Sequence, residues 1–201
     1  MKKEIPLVES TIEGLKKVDG SSEAKRQFFQ YCQQTMISSA FSISAIESWA
    51  NKTIQLLGRD SALKPIKLEL KNLKGKISYY SSDEIASQRG ITLVPKLFQL
   101  IPQVLNSKPL KAHSTLRKKL ISVIDDRNAV MHMQQDLNID EQIIKRSDFA
   151  VKMFVVNPFE AVTTTLKVIK YFYENSNHEQ PDWFTYNEQE LTKIWRKYIG
   201  L

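Results

Sequence analysis

The spacing of apolar side chains along the chain is mostly that of amphipathic helices. The clearest case begins at Ser21 and Ser22, whose hydroxyls can cap a helix N-terminus, and ends at Gly58, a residue typical of helix ends. Between these bounds, apolar residues recur every three or four positions: Phe29, Met36, Ala40, Ile43, Ala50 and Ile54. This period predicts one long helix with a single apolar face.

A second helix is predicted after Asp60 and Ser61, which can cap its start. Its apolar stripe consists of Leu63, Ile66, Leu70, Leu73 and Ile77. Beside it runs a stripe of four lysines: Lys64, Lys67, Lys71 and Lys74. Such a stripe is usually a solvated helix face, but it can also contact the phosphates of a nucleic acid, so we take these lysines as candidate substrate-binding residues.

The rest of the chain also favours helices. Residues 81–110 are interrupted by Gly90 and by three prolines, Pro95, Pro102 and Pro109. A regular helix then starts at Ser114 or Thr115, and its inner side carries Leu116, Leu120, Val123, Ile124, Val130 and Met131. Another starts at Asn157 and Pro158. Residues 147–156 fit a helix or a strand, and 188–199 form a last amphipathic segment.

These patterns predict an all-α fold with about six helices. The expected organisation is a single domain over residues 1–201, with a loose N-terminal arm at 1–20 and a C-terminal helical extension at 176–201. No internal repeat, low-complexity tract or convincing alternating strand is visible in the sequence.

Composition adds a mild preference for polyanionic partners. The chain has 29 lysines and arginines against 22 acidic residues, a net charge of +7. Such a surplus favours association with nucleic acid. A single cysteine, Cys32, and the lack of a secretory leader or a long apolar run lead us to expect a cytoplasmic protein without membrane contact. A hydrophobic content of 42% is too high for a disordered chain.

An arginine stands where the apolar stripe of the helix after Ser114 expects a leucine. Arg127 lies seven positions after Leu120, near the middle of that stripe. A buried guanidinium without a partner would cost several kcal/mol, so the position requires a carboxylate partner, a cleft or an interface. Glu47 is the corresponding exception in the first helix, and Asn51 follows one turn later. We expect Glu47 to face Arg127 with Asn51 close by, either as a buried ion pair or as part of a site in which Asn51 is a candidate substrate-binding residue.

A histidine ends the same helix. His132 is five residues after Arg127, so on an ideal helix the two positions point about 140° apart. Asn128 lies four residues before His132 and shares its side. Asn128 and His132 can therefore cooperate directly, whereas Arg127 needs a distorted helix end or a second subunit.

The segment Arg127–His132, "RNAVMH", resembles the signature of the HEPN superfamily, in which an arginine, a polar residue, three variable residues and a histidine lie near the end of an apolar helix. These are small all-α proteins built on a helical bundle, and many are RNA-cleaving toxins or phage-defence effectors. The preceding long helix with "AIESWAN" at 45–51 is also similar, so the resemblance covers residues 27–175. It implies a HEPN-like bundle with a long first core helix and extra terminal helices.

The resemblance implies an activity and a set of site residues. The activity is metal-independent RNA cleavage, in which a ribose 2′-hydroxyl attacks the adjacent phosphate, without a cofactor. Arg127, Asn128 and His132 match the catalytic motif, and Glu47 loosely matches a polar or acidic position on the preceding helix. His132 would transfer protons, Arg127 would stabilise charge on the phosphate, and Asn128 would orient them. The implied partners are RNA, a second copy of the chain, and an antitoxin or defence-complex protein.

Two other interpretations stay open. The same superfamily includes non-catalytic relatives, so the chain can instead be an RNA- or protein-binding regulatory module in which Arg127 and Glu47 are structural. The alternative chemistry is a metal site, for which the candidate ligands are Asp125, Asp126, His132 and Asp136. One histidine and one aspartate four residues apart are weak support for a metal, and the other aspartates are expected to be solvated.

Overall fold

The long first helix is confirmed. In a computed structural model of the chain, α1 runs over Ser22–Leu57. The structure describes residues 22–87, 91–132, 158–186, 189–190 and 193. The expected loose arm at 1–20 and the ambiguous segment at 147–156 lie outside these residues.

Gly58 ends α1, as predicted. The reason is the lack of space for a side chain at this position, not a left-handed backbone conformation. Its N–H still donates to the carbonyl of Ile54 at 2.9 Å, and its own carbonyl accepts from the N–H of Ile66 at 3.0 Å and from the hydroxyl of Ser82 at 2.6 Å. A Cβ on Gly58 would lie 2.3 Å from the Ile54 oxygen and 2.5 Å from the Ser82 Cβ. Glycine is therefore required by the close approach of neighbouring backbone.

The prediction of a helix after Asp60 is wrong. Strand β1 (Lys67–Lys71) pairs antiparallel with strand β2 (Ile77–Ser81), with Lys67 opposite Ser81 and Lys71 opposite Ile77. We call this unit the hairpin. Asp60 does not cap a helix, because its Oδ1 accepts the N–H groups of Ala62 and Lys64, both at 2.9 Å, in a tight turn that precedes β1.

The turn of the hairpin is formed by Asn72 and Gly75. The side-chain oxygen of Asn72 accepts the N–H groups of Lys74 at 2.9 Å and Lys76 at 3.0 Å. Gly75 has a φ of +81°, a conformation that residues with a Cβ rarely adopt. Both residues favour a turn in the middle of the segment predicted as helical.

A capping box joins the hairpin to helix α2 (Ser82–Ser87). The N–H of Ser81 donates to Glu84 Oε2 at 2.7 Å, and the N–H of Glu84 donates to the Ser81 hydroxyl at 3.2 Å. The backbone N–H of Ser81 and a hydrogen bond from the Ser81 side chain stabilise the Glu84 carboxylate, so they hold the pKa of Glu84 below its ordinary value.

The prolines of the next segment interrupt its helical hydrogen bonding without ending it. Helix α3 (Leu93–Pro95) continues into a π-helical turn (Lys96–Leu100) and then into α4 (Ile101–Val104). Pro95 stands in the first turn of this run, where its missing N–H costs nothing. Pro102 follows the π turn, in which the N–H of Ile101 bonds back to the carbonyl of Lys96.

Two glutamines of this run hold the outer edge of β1. Gln103 Oε1 accepts the N–H of Glu69 at 2.8 Å and Gln103 Nε2 donates to the Glu69 carbonyl at 2.7 Å. Gln99 forms the same pair of bonds with Lys71, at 2.8 and 2.9 Å. The two amides thus replace a neighbouring strand, and they fix the hairpin against the π turn.

The two later helices agree with their predicted starts. Helix α5 spans Thr115–His132, and the Ser114 hydroxyl accepts the N–H of Arg117 at 3.3 Å as its cap. Helix α6 spans Pro158–Glu174. Residues 182–186, 189–190 and 193 are also helical, whereas most of the predicted last helix lies outside the described residues.

The chain divides into two compact units. The first contains Met1–Phe41 and Val123–Val162, and the second contains Ser42–Ser122 and Thr163–Leu201. In the second unit, Trp49 stacks on Phe172 at 6.2 Å and donates from Nε1 to the Tyr173 hydroxyl at 3.4 Å. The rest of its core includes Ile43, Ile46, Ala50, Ile54, Leu68, Ile85, Leu97, Leu100, Ile101 and Val168. Buried residues of the first unit include Cys32, Thr35, Ser39, Val123, Ile124 and Ala161.

The fold is mostly helical with one two-stranded sheet among the described residues, which is compatible with the predicted all-α class. The HEPN-like bundle and the single domain over 1–201 stay predictions. Within the described ranges, none of the helices has the length and apolar character to cross a bilayer.

Candidate functional site

The C-terminal half of α5 carries the motif residues. Arg127 and Asn128 are both half-buried, and Arg127 Nη1 donates to Asn128 Oδ1 at 3.1 Å. Within the described part of its own unit, Arg127 forms no salt bridge with a carboxylate. Since this bond uses only one of the five guanidinium N–H donors, the others can bind an anion.

His132 is the last residue of α5, one helical turn beyond Asn128. Its side chain lies outside the described part of the chain. Because 115–132 form a single helix, positions 127 and 132 keep the offset of about 140° calculated from the sequence.

Among the described side chains of α5, the buried charged residue is an aspartate. Asp126 is only 4% exposed, whereas its neighbours Arg127 and Asp125 are half-buried and exposed. The expectation that Asp126 is solvated is therefore wrong. Leu120, Val123 and Ile124 of the predicted stripe are buried as expected, and Asp126 is buried beside them. The side chains of Val130 and Met131 lie outside the described residues.

Asn51 contacts a lysine that the sequence patterns did not single out. Lys96 is 4% exposed, and its Nζ donates to Asn51 Oδ1 at 2.8 Å. Asn51 and Glu47 are half-buried on α1, one turn apart. Glu47 belongs to the second unit and Arg127 to the first, so their pairing stays a prediction.

The four predicted substrate-binding lysines lie on the hairpin and its flanking turn. Lys67 and Lys71 are in β1 on the same face, Lys74 is in the hairpin turn, and Lys64 is in the turn before β1. All four are exposed, but they do not form the helical stripe that the sequence predicted. They instead present exposed ammonium groups on and beside the hairpin, which Gln99 and Gln103 hold in place.

A cavity of about 540 Å³ opens beside the hairpin in the second unit. Its walls are mostly apolar and include Leu73, Ile91 and Phe98. Arg117 lies over the Phe98 ring at 4.1 Å, and its Nη1 donates to the carbonyl of Leu110 at 3.1 Å. These contacts fix the guanidinium plane at the cavity wall.

The described residues contain no group of three or more histidine, cysteine or acidic side chains that could hold a metal ion. Of the candidate ligands, Asp136 and the His132 side chain lie outside those residues. The alternative metal chemistry stays untested.

Comparisons with protein-family models, curated proteins and solved structures found no match to this chain. The resemblance to the HEPN superfamily therefore depends on the sequence features alone: the motif at Arg127–His132 and its place after the long helix with "AIESWAN".

Several residues of interest could have been found from the sequence. Lys96 is the only charge in the apolar run "LVPKLFQL" at 93–100, which marks it as unusual. "SSDE" at 81–84 is a capping-box sequence. No sequence pattern, however, indicates that Arg117 lies over Phe98, because the two are 19 residues apart and meet only through the fold.

Proposed function

We propose that the protein is a metal-independent endoribonuclease of the HEPN type. In this reaction, the 2′-hydroxyl of a ribose loses its proton and attacks the adjacent phosphate. The bond from phosphorus to the 5′-oxygen of the next nucleotide breaks, so one product ends in a cyclic phosphate and the other in a 5′-hydroxyl. The observation that supports it is the contact between the Arg127 guanidinium and the Asn128 amide, on the helix that continues to His132. The motif residues thus share one rigid element, as positioned catalytic groups require.

Each residue has a role suited to its chemistry. His132 accepts the proton of the 2′-hydroxyl or donates one to the leaving oxygen, because imidazole titrates near neutral pH. Arg127 binds the phosphate oxygens as negative charge accumulates, with the N–H donors that Asn128 does not use. Asn128 holds the guanidinium plane in place.

The angular offset between Arg127 and His132 favours a homodimer in which two motifs line one cleft. Arg127 of one subunit would then act with His132 of the other. The proposal also includes a cytoplasmic location, RNA as substrate, and an antitoxin or defence-complex protein that restrains the activity.

The test is cleavage of structured and single-stranded RNA by the purified protein in the presence of a chelator. We expect Arg127→Ala and His132→Ala each to reduce the cleavage rate by about 100-fold or more, the usual contribution of a charge-stabilising donor and of a proton-transfer group. The matched control is His113→Ala, which removes an exposed histidine of the other unit. Undiminished cleavage by both motif variants would exclude this site, and loss of cleavage in chelator alone would revive the metal interpretation.

A second candidate function is a non-catalytic RNA- or protein-binding module. The exposed lysines of the hairpin favour it, since they can bind phosphates without the motif. Under this interpretation the wild type cuts no RNA and His132→Ala changes nothing. Lys67→Gln with Lys71→Gln would then weaken RNA binding, and the salt dependence of binding would become less steep.

A further inference from the structure

The cavity beside the hairpin presents fixed positive charge without a matching acid. Two of its lining side chains, Lys71 and Arg117, are cationic, and no described residue of the lining is acidic. The Arg117 guanidinium is held by the Phe98 ring and the Leu110 carbonyl, and among the described residues it has no carboxylate partner. A half-buried cation fixed in this way is suited to an anionic ligand.

The apolar walls of the cavity restrict the class of anion that can bind there. Leu73, Ile91, Val94 and Phe98 contribute apolar surface, and Leu73 is fully exposed at the hairpin tip. The volume of about 540 Å³ lies in the range of small-molecule sites. Apolar walls with two cations fit a ligand that has a flat apolar part and a phosphate.

We propose that this cavity binds one nucleotide of single-stranded RNA. The base would stack on the fixed guanidinium plane of Arg117 or against Leu73, and the phosphate would lie at Lys71. Stacking on arginine planes and aromatic rings is how proteins bind unstacked bases. This inference rests on the proposed function, because it takes RNA as the ligand of the protein.

A single-nucleotide cavity makes a different prediction from a basic surface. Exposed lysines bind duplex and single strands through phosphates alike. A base can enter the cavity only when it is unstacked, so single-stranded RNA should bind more tightly than a duplex of the same length. Removing Arg117 should abolish that preference.

The experiment is a fluorescence anisotropy titration of the full chain with short 2′-O-methyl RNA, single-stranded and duplex. The 2′-O-methyl group blocks the attack on the phosphate, so binding is measured whether or not the protein cleaves RNA. We expect Arg117→Gln to weaken single-strand binding by about 10-fold or more, the effect of losing one base-stacking contact. Lys118→Gln removes the same charge from an exposed neighbouring position and should change binding by less than about 2-fold.

Thr92→Glu is a second variant that does not depend on the packing of Arg117. Thr92 is exposed on the cavity lining and its side chain makes no capping hydrogen bond, so the change places a carboxylate there with little effect on folding. It should weaken single-strand binding to a similar extent, and nucleoside monophosphate should compete with the RNA.

Three results would overturn the nucleotide site. They are equal weakening by Arg117→Gln and Lys118→Gln, equal affinity of the wild type for single strand and duplex, and Arg117-dependent binding of an acidic peptide without binding of RNA. The outcome is independent of catalysis. If wild type cuts no RNA but shows Arg117-dependent single-strand binding, the nuclease proposal fails and the cavity assignment stands.

Discussion

Substituting Gly58 by alanine tests how closely the hairpin is attached to α1. The new Cβ would lie 2.3 Å from the Ile54 carbonyl oxygen and 2.5 Å from the Cβ of Ser82. Neither atom is the end of a flexible side chain, so the backbone must move. That movement strains or breaks three hydrogen bonds at Gly58, with Ile54, Ser82 and Ile66.

The cost follows from these contacts. Overpacking in a well-packed region costs about 1–3 kcal/mol. Each hydrogen bond that is lost adds about 1 kcal/mol. We therefore expect Gly58→Ala to lower the free energy of unfolding by about 2–5 kcal/mol. For a chain of this size, that corresponds to a melting temperature lower by about 5–15 °C.

Thermal and urea unfolding, followed by far-ultraviolet circular dichroism, measure this change. Ser82→Ala is the matched control, because it keeps the Cβ and removes only the hydroxyl bond to Gly58, at about 1 kcal/mol. Ser82→Gly in the Gly58→Ala background should recover part of the loss, since it removes one of the two short contacts. A Gly58→Ala protein within about 0.5 kcal/mol of wild type would refute the close approach.

Two further predictions concern the braces of the hairpin. Gln99→Ala with Gln103→Ala removes the four hydrogen bonds of 2.7–2.9 Å that join these side chains to β1. Hydrogen exchange at the amides of Glu69 and Lys71 should therefore accelerate while the melting temperature falls only slightly, and unchanged exchange would contradict the brace. The capping box lowers the pKa of Glu84, so its contribution to stability is present above the unfolded pKa and is lost as pH falls through the folded pKa. Glu84→Ala should therefore destabilise the protein at neutral pH and have no effect in strong acid, and an equal effect at both would count against it.

Periodicity predicted the long helices because a buried helical face repeats over many turns. In α1 the apolar spacing continues for 36 residues, so chance matches cannot dominate it. The hairpin segment is too short for its apolar spacing to distinguish a helix from a strand. Leu70 and Ile77 fit a helical stripe, but Leu68 and Leu70 also alternate with charged residues as a strand does. Asn72 and Gly75 decide the outcome, because their turn geometry excludes a helix through them.

The candidate site was predictable only in part. The sequence placed Arg127 and Asn128 on one helix, and the structure joins their side chains at 3.1 Å. It did not predict that Asp126 would be buried, since a stripe drawn from few residues does not fix which positions at its edge are covered. The contact between Arg117 and the Phe98 ring joins residues of separate helices. The apolar periodicity within each helix does not indicate which residues of the two helices meet.

The two RNA-related assignments can be separated by kinetics, because they lie at different stages of the reaction. Arg117 is assigned to a nucleotide that binds in the same way before and during reaction, so its loss should raise KM and leave kcat unchanged. His132 acts on protons that move only in the transition state, so its loss should lower kcat with little change in RNA affinity. If Arg117→Gln lowered kcat as much as His132→Ala does, the arginine would be positioning the reacting phosphate, and the cavity would belong to the catalytic step.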